Sequence, residues 1–274
     1  MRAMDASAPD QPDERPGFVS RRQLLWLAGG VGLASAVGAC SSGPRTHSVP
    51  VSATAATHAS LTTSPRSGPP APAATPLSVA AAQLLCRDAW GARPARAGGR
   101  PHSITRMTLH HEAVVLGDNR NAPGRLRQDQ RFHQEQHGWI DIAYHVGVDR
   151  NGNIYELRSP KIAGDSATNY DTTGHFLVLC EGDFDQEAVS EAQLQGAAIA
   201  FAWAAQTFGV ATSTLAGHRD LAPTSCPGAS LYAHLSSGDL KRRIDDLLAA
   251  GGVDLRLFCG PAATARVAAI EAGN

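Results

Sequence analysis

A long stretch of Ser, Thr, Pro and Ala restricts where this 274-residue chain can form a folded core. Between Ser41 and Ala80 there are few large apolar side chains, so burial there cannot offset the chain entropy that folding would cost. We therefore expect a disordered tether over residues 40–83. The remaining length is enough for one substantial domain, which we place at residues 84–250, followed by a C-terminal extension over 251–274.

The segment before the tether has the pattern of an export signal. Arg21 and Arg22 precede an apolar run that reaches Val37, and this run is too short to span a bilayer comfortably as a mature helix. The paired arginines resemble a twin-arginine signal, and the Val-Gly-Ala-Cys sequence ending at Cys40 resembles a lipobox. We predict a signal peptide over 1–39 and a lipid anchor on Cys40. An uncleaved anchor helix and a plain signal are the alternatives, and each also predicts an extracytoplasmic domain.

Composition and charge exclude one class of partner. The chain is 43% apolar and 18% charged, with a formal net charge of −1. Nucleic-acid-binding domains usually carry a clear excess of basic residues. We therefore expect no nucleic-acid partner.

The best predicted helix runs from Glu191 to Phe208. Ser190 and Gln193 form a capping box before it, and Gly209 follows as a C-terminal stop. One face of this helix carries apolar side chains at helical spacing: Leu194, Ala197, Phe201, Ala204 and Phe208.

The other elements predict an α/β class. Strand-like runs lie at 104–111, 142–148, 154–157 and 175–179, with weaker helices at 125–137 and 240–251. The dipeptide Asn151-Gly152 is typical of a two-residue hairpin turn. Strands mixed with helices in this order predict a single domain with a central mixed β-sheet flanked by helices.

Two histidines and a cysteine are candidate metal ligands. His110 ends a predicted strand, and His218 and Cys226 lie in the segment GHRDLAPTSCPG at 217–228. Zn²⁺ binds imidazole nitrogen and thiolate sulfur, and a catalytic zinc keeps three protein ligands and an open position. The spacing from His110 to His218 is not a local motif, so the residues alone only suggest such a site.

Several blocks resemble the peptidoglycan recognition proteins and type 2 N-acetylmuramoyl-L-alanine amidases. The family's opening Trp-Gly-Ala occurs at Trp90, its FH…GW.DIGYH block is similar to residues 132–145, and its GHRD…PT.CPG segment is similar to residues 217–228. The blocks occur in the family's order. The resemblance implies that family's fold and a zinc-dependent amidase, which cuts between the lactyl group of N-acetylmuramic acid and L-Ala of peptidoglycan.

Carried onto this sequence, the resemblance implies a role for five residues. It makes His110, His218 and Cys226 the zinc ligands. It makes Tyr144 an oxyanion donor and proton relay, and Thr224 a second group that assists the oxyanion. A non-catalytic peptidoglycan-binding lipoprotein is the alternative, but members that only bind commonly carry Ser in place of Cys226. We expect a monomer in either case.

Two more residues are candidate substrate contacts. His145 follows Tyr144 and points to the other face of the strand, where it either lines the groove or orders a metal ligand. Asp171 lies in the predicted stem-peptide wall, where relatives have Asn. Residues 164–167 replace the family's Gly-Ala-His-Ala, which leaves the preferred stem peptide open.

The cysteine count leaves two schemes. If Cys40 is lipidated, the other four cysteines could form two disulfides without a metal. If Cys226 binds zinc, one of Cys86, Cys180 and Cys259 is unpaired. We favour a Cys86–Cys259 pair, because these residues flank the domain and domain ends are often close.

Overall fold

This computed structural model describes residues 79–274. The predicted signal peptide, Cys40 and nearly all of the predicted tether lie outside the described residues. Within the described part, seven strands form one sheet and five α-helices pack around it. The strands are β1 (Ala80–Leu85), β2 (Arg106–His111), β3 (Val146–Val148), β4 (Ile154–Glu156), β5 (His175–Cys180), β6 (Leu215–Gly217) and β7 (Val253–Phe258). The helices are α1 (Ala122–Glu135), α2 (Glu191–Phe208), α3 (Ala229–Ser236), α4 (Asp239–Ala249) and α5 (Pro261–Glu271). None of these helices has the length and apolar character needed to cross a bilayer.

The sheet is mixed, as the sequence predicted. Its strand order is β6-β2-β5-β3-β4-β1-β7. Strands β6, β2, β5 and β3 are parallel to one another, β4 is antiparallel to β3, and β1 is parallel to both β4 and β7. The carboxyl ends of β2 and β6 therefore lie at the same end of the sheet as the amino end of β1.

Helices cover both faces of the sheet. Neighbouring residues of a strand point to opposite faces, and Val178 and Leu179 accordingly lie in two different buried clusters. Helices α2, α3 and α4 cover the face of Val178, whereas α1 and α5 cover the face of Leu179. The architecture is therefore the α/β sandwich that the sequence predicted.

The long helix α2 has the predicted bounds and caps. Ser190 Oγ accepts a hydrogen bond from Gln193 N at 3.1 Å, and Gly209 ends the helix with a φ of 65°. The second half of the capping box is absent. The Gln193 side chain instead donates to the carbonyl oxygens of Val148 and Glu181, at 2.9 and 3.0 Å, and so joins the helix to the sheet.

The β3–β4 connection is longer than the two-residue turn that the sequence suggested. Val148 pairs with Ile154, so residues 149–153 form the turn. The Asp149 carboxylate accepts hydrogen bonds from the backbone N–H groups of Asn151 and Asn153, at 3.0 and 2.9 Å. An acidic side chain that accepts hydrogen bonds from nearby backbone in this way stabilises the turn.

The sheet continues beyond both ends of the segment 84–250. Strand β1 begins at Ala80, and β7 pairs with it along its full length. Helix α5 buries Val267 and Ile270 in the core. Residues 253–271 thus belong to the fold, because they supply an edge strand and part of the cover of one face.

A disulfide fastens β1 to β7. Cys86 follows β1 and Cys259 follows β7, and their Cα atoms are 5.1 Å apart. This confirms the pair that we favoured from the sequence. Cys180 and Cys226 are both buried and free.

Candidate metal centre

His110 and His218 lie side by side at the carboxyl ends of two adjacent parallel strands. The β2–β6 register pairs Leu109 with Gly217, so the next residue of each strand is a histidine. Equivalent positions on paired parallel strands project to the same face at roughly the 4.8 Å strand spacing. The two imidazole centroids are 4.7 Å apart, and both residues are buried.

Cys226 reaches the histidines from the loop that follows β6. Its Sγ lies 3.6 Å from His110 Nδ1 and accepts a hydrogen bond from His111 N at 3.4 Å. The Cys226 carbonyl oxygen accepts from Arg219 N at 2.8 Å, which closes the loop beside His218. One donor atom from each of His110, His218 and Cys226 can be chosen so that all three lie within 4.8 Å of one another.

The chemistry of these donors fits zinc. Burial, with help from the nearby His218, holds the pKa of His110 well below its usual value. Burial also lowers the pKa of His218 to about 4, so both imidazoles are neutral at pH 7, as metal binding requires. Burial raises the pKa of the Cys226 thiol to about 12, and a bound cation would favour its thiolate. Two neutral imidazoles and one thiolate match the ligands of a three-ligand zinc site.

Tyr144 lies against the same cluster, two residues before β3. Its ring centroid is 5.2 Å from that of His110, and its hydroxyl makes no hydrogen bond within residues 79–274. Burial and the neighbouring Cys226 raise the pKa of Tyr144 well above its usual value. The hydroxyl therefore keeps its proton at neutral pH and is free to donate it in a hydrogen bond.

Thr224 is the other candidate oxyanion residue. Its Oγ1 accepts a hydrogen bond from Cys226 N at 3.2 Å, so the side chain is tied to the loop that carries Cys226. The hydroxyl proton is not engaged within the described residues.

The two candidate substrate residues have different surroundings. The ring nitrogens of His145 are both occupied by backbone groups: Nδ1 accepts from Leu177 N at 2.9 Å, and Nε2 lies 3.0 Å from Ile162 O. These contacts fix the His145 ring in the core, and its contact with substrate stays a prediction. Asp171 is exposed and forms an ion pair with Arg100 at 3.0 Å, and its contact with substrate stays a prediction.

Two residues that the sequence reasoning missed contact the candidate ligands from the loop between β4 and β5. Thr168 Oγ1 lies 2.6 Å from His218 Nε2, and Tyr170 Oη lies 3.2 Å from His110 Nε2. No motif in the sequence marks either residue, because their partners lie 50 and 60 residues away along the chain.

Three buried carboxyl groups lie near one another, and two of them, Glu112 and Asp129, lie near Tyr144. Burial, with help from nearby Asp129, raises the pKa of Glu112 to about 10, and burial raises the pKa of Asp129 to about 6. Glu181 is fully buried, and burial raises its pKa well above the usual value. Of these groups, Glu112 is 3.3 Å from Arg125 Nε, and neither carboxyl oxygen of Glu181 has a partner in the described part of the chain.

Known proteins match both the sequence and the fold. Residues 99–229 match the family model described as N-acetylmuramoyl-L-alanine amidase, and this range contains His110, His218 and Cys226. Peptidoglycan-recognition protein LB of Drosophila melanogaster is 33% identical over 181 residues, which cover 61% of this chain and 74% of the fly protein. N-acetylmuramoyl-L-alanine amidase of Sus scrofa is 32% identical over 154 residues, which cover 54% of this chain and 25% of the pig protein.

A solved structure agrees with these matches. A tyrosine-to-phenylalanine mutant of Drosophila PGRP-LB in complex with tracheal cytotoxin superposes with a TM-score of 0.51 at 27% identity. The match covers 56% of this chain and 93% of that one. The chain therefore belongs to the family of peptidoglycan-recognition proteins and N-acetylmuramoyl-L-alanine amidases.

Proposed function

We propose that this protein is a zinc-dependent N-acetylmuramoyl-L-alanine amidase, which hydrolyses the amide between the lactyl group of N-acetylmuramic acid and L-Ala of peptidoglycan. The observation that carries the proposal is the cluster of His110, His218 and Cys226, whose donor atoms lie within 4.8 Å of one another. The Tyr144 ring, 5.2 Å from that of His110, adds a hydroxyl with no partner in residues 79–274.

A zinc ion held by His110, His218 and Cys226 would polarise the amide carbonyl and lower the pKa of a water molecule. Tyr144 donates a hydrogen bond to the carbonyl oxygen as that oxygen gains negative charge. A well-placed donor of this kind is worth about 3 kcal/mol. Because Thr224 keeps an unengaged hydroxyl proton two residues from Cys226, it is the second donor.

The leaving amine must gain a proton for the carbon–nitrogen bond to break. Water supplies the atoms that hydrolysis adds. Its oxygen joins the carbonyl carbon, and its protons end on the amine and in the solvent. The pKa of Tyr144 is raised well above its usual value, so the side chain stays protonated and offers no phenolate to act as a base. It therefore acts as a relay, which passes one proton on while it accepts another.

The substrate class is a muropeptide. The family model that matches residues 99–229 is named for this amidase, and the PGRP-LB neighbour was solved with tracheal cytotoxin. Residues 166–171 lie beside the cluster, because Thr168 contacts His218 and Tyr170 contacts His110. In this proposal the stem peptide lies along that loop, within reach of Asp171.

A protein that only binds peptidoglycan is the second candidate, because the family also contains recognition proteins. Cys226 favours catalysis, since a buried thiol beside two neutral imidazoles has no evident use in a surface that only binds. The Tyr144 ring beside His110, with a hydroxyl that has no partner in residues 79–274, favours catalysis as well.

The location of the protein is a separate proposal that rests on residues 1–40. We infer a lipid anchor at Cys40 on the outer face of the cell membrane, with the domain acting as a monomer on nearby cell wall. In cells that express Cys40→Ser, the protein should move from the membrane fraction to the medium. Equal retention of both forms would show instead that the apolar run before Cys40 is the anchor.

Mass spectrometry of muropeptides after digestion tests the reaction. A zinc-loaded protein should release free stem peptides and leave sugars that carry an intact lactyl group. Cleavage at another bond would show that the protein is a different hydrolase. Intact muropeptides that nevertheless bind the zinc-loaded protein would favour the binding protein.

A further inference from the structure

We propose that Thr168 and Tyr170 are positioning residues of the metal centre, which hold His218 and His110 by their Nε2 atoms and leave both Nδ1 atoms for the metal. The inference rests on the proposed zinc site and adds how this chain orients its two imidazole ligands.

The contacts of His110 fix which nitrogen faces the other ligands. Its Nδ1 lies 3.6 Å from Cys226 Sγ, whereas its Nε2 lies 3.2 Å from Tyr170 Oη. The two nitrogens are on opposite sides of the ring, so the side that faces Cys226 is the metal side. Tyr170 then occupies the outer side.

His218 has the same arrangement through Thr168. Its Nε2 lies 2.6 Å from Thr168 Oγ1 and 3.4 Å from Ser166 Oγ, and its Nδ1 makes no hydrogen bond within residues 79–274. An imidazole that binds a metal through one nitrogen carries its proton on the other. Nε2–H therefore donates, and the hydroxyl oxygens of Thr168 and Tyr170 accept.

The loop that supplies these hydroxyls is itself held in place. Ser166 Oγ lies 2.8 Å from Thr168 Oγ1 and accepts from Thr168 N at 3.1 Å. The base of the loop is closed by Thr172 Oγ1, which donates to Gly164 O at 2.6 Å. Thr168 therefore has a fixed orientation toward His218 before any metal binds, as a positioning residue requires.

Tyr170 links the two ligands. Its ring centroid is 5.0 Å from that of His218 and 6.4 Å from that of His110. Its ring thus packs beside one candidate ligand while its hydroxyl contacts the other. Removing the hydroxyl alone, in Tyr170→Phe, keeps the packing and tests the hydrogen bond.

The test compares metal binding in the full chain and in four variants. Thr168→Val and Tyr170→Phe should each weaken zinc binding about 10–100-fold in chelator competition, the usual cost of losing such a partner. Thr168→Ser should restore the affinity, because it restores the hydroxyl. Thr173→Val is the matched control, since the Thr173 hydroxyl lies in the same loop but contacts Arg100.

Cobalt substitution gives a readout of ligand orientation. The visible spectrum of the cobalt form should change in Thr168→Val and return to that of the parent in Thr168→Ser. Melting of the metal-free variants separates this effect from misfolding, and Thr168→Ala replaces Thr168→Val if the latter does not fold. Parent-like affinity and spectra in Thr168→Val and Tyr170→Phe would overturn the inference while leaving the proposed function intact. A parent protein that binds neither zinc nor cobalt would overturn both.

Discussion

Tyr144 and His110 lie with their rings 5.2 Å apart, and the Tyr144 hydroxyl makes no hydrogen bond to any residue in the range 79–274. A hydroxyl kept free beside three candidate metal ligands is available to the reacting carbonyl. Metal binding and turnover can therefore be tested separately, because Tyr144 can be substituted without changing any atom that would bind the metal.

Tyr144→Phe should therefore keep zinc and lose turnover. We expect kcat to fall roughly 10²-fold or more, because the hydrogen bond is made as charge develops on the substrate. Steady-state kinetics with a soluble muropeptide, together with elemental analysis, measures both effects. Tyr232→Phe is the control, since its hydroxyl bonds Asp220 at 2.6 Å. Normal turnover in Tyr144→Phe would refute the assigned role.

Cys226→Ser should lose metal as well as activity. A neutral hydroxyl replaces a soft thiolate, and zinc affinity falls accordingly. Cys180→Ala removes the other free, buried thiol and should keep about one zinc per chain, although it costs some stability. Zinc content of the two purified variants, before and after dialysis against a chelator, checks the difference. Full activity of the parent protein without zinc would contradict the assignment.

Zinc affinity should rise with pH. The Cys226 thiol, whose pKa is about 12 without metal, must lose its proton on binding, whereas His218, with a pKa of about 4, has none to lose above pH 6. One proton is then released per zinc, so the Kd should fall about tenfold per pH unit near neutrality. Calorimetry in buffers of different ionisation enthalpy counts the proton. A Kd that does not change with pH would mean that the thiol is not a ligand.

Glu181→Gln should stabilise the domain more at high pH than at low pH. Burial raises the pKa of Glu181, so the folded state keeps a proton that the unfolded state loses above about pH 4.5. The folded state then binds more protons than the unfolded state, and its free energy of unfolding decreases as pH rises through that range.

Glutamine cannot ionise, so the variant loses this dependence. Thermal melts should show a Tm gain of a few degrees at about pH 8 and a smaller gain at about pH 5. Glu135→Gln is the control, because Glu135 is exposed and its ion pair with Arg93 lowers its pKa. An equal gain at both pH values would show that protonation of Glu181 is not the cause.

Loss of the Cys86–Cys259 disulfide should lower stability without disturbing the metal. The bond joins positions 173 residues apart, and closing so large a loop usually contributes about 2–4 kcal/mol. Denaturant melts of Cys86→Ser/Cys259→Ser against the parent measure this loss. Zinc content should stay the same, since neither cysteine contacts a candidate ligand.

The sequence predicted best where the information is local. Helix α2 was found with its bounds because Ser190 and Gly209 mark its ends in the chain itself. Strands β1 and β7 were missed because each pairs along its full length with the other, more than 160 residues away in the chain. The length of the turn after β3 was misjudged because it is set by the pairing of Val148 with Ile154, which the dipeptide Asn151-Gly152 alone does not determine.

The candidate site shows the same division. His110, His218, Cys226 and Tyr144 were found through blocks that resemble a known family, and the structure brings all four together. Thr168 and Tyr170 follow no motif, since their partners lie 50 and 60 residues away along the chain. Contacts of that kind are created by the fold and cannot be read from neighbouring letters.

Strands β1 and β2 run in opposite directions, and this determines on which side of the domain an N-terminal attachment lies. Ala80 opens β1 at the end of the sheet where β2 reaches His110 and His111. The two strands are four positions apart in the sheet, or about 20 Å at the usual strand spacing. A tag fused ahead of residue 79 therefore leaves the domain at the end of the sheet that carries the candidate site. If the protein is immobilised on a bead through such an N-terminal tag, the bead lies on the side of the candidate site. It would hinder access of a large cell-wall fragment, whereas a small muropeptide could still diffuse into the site.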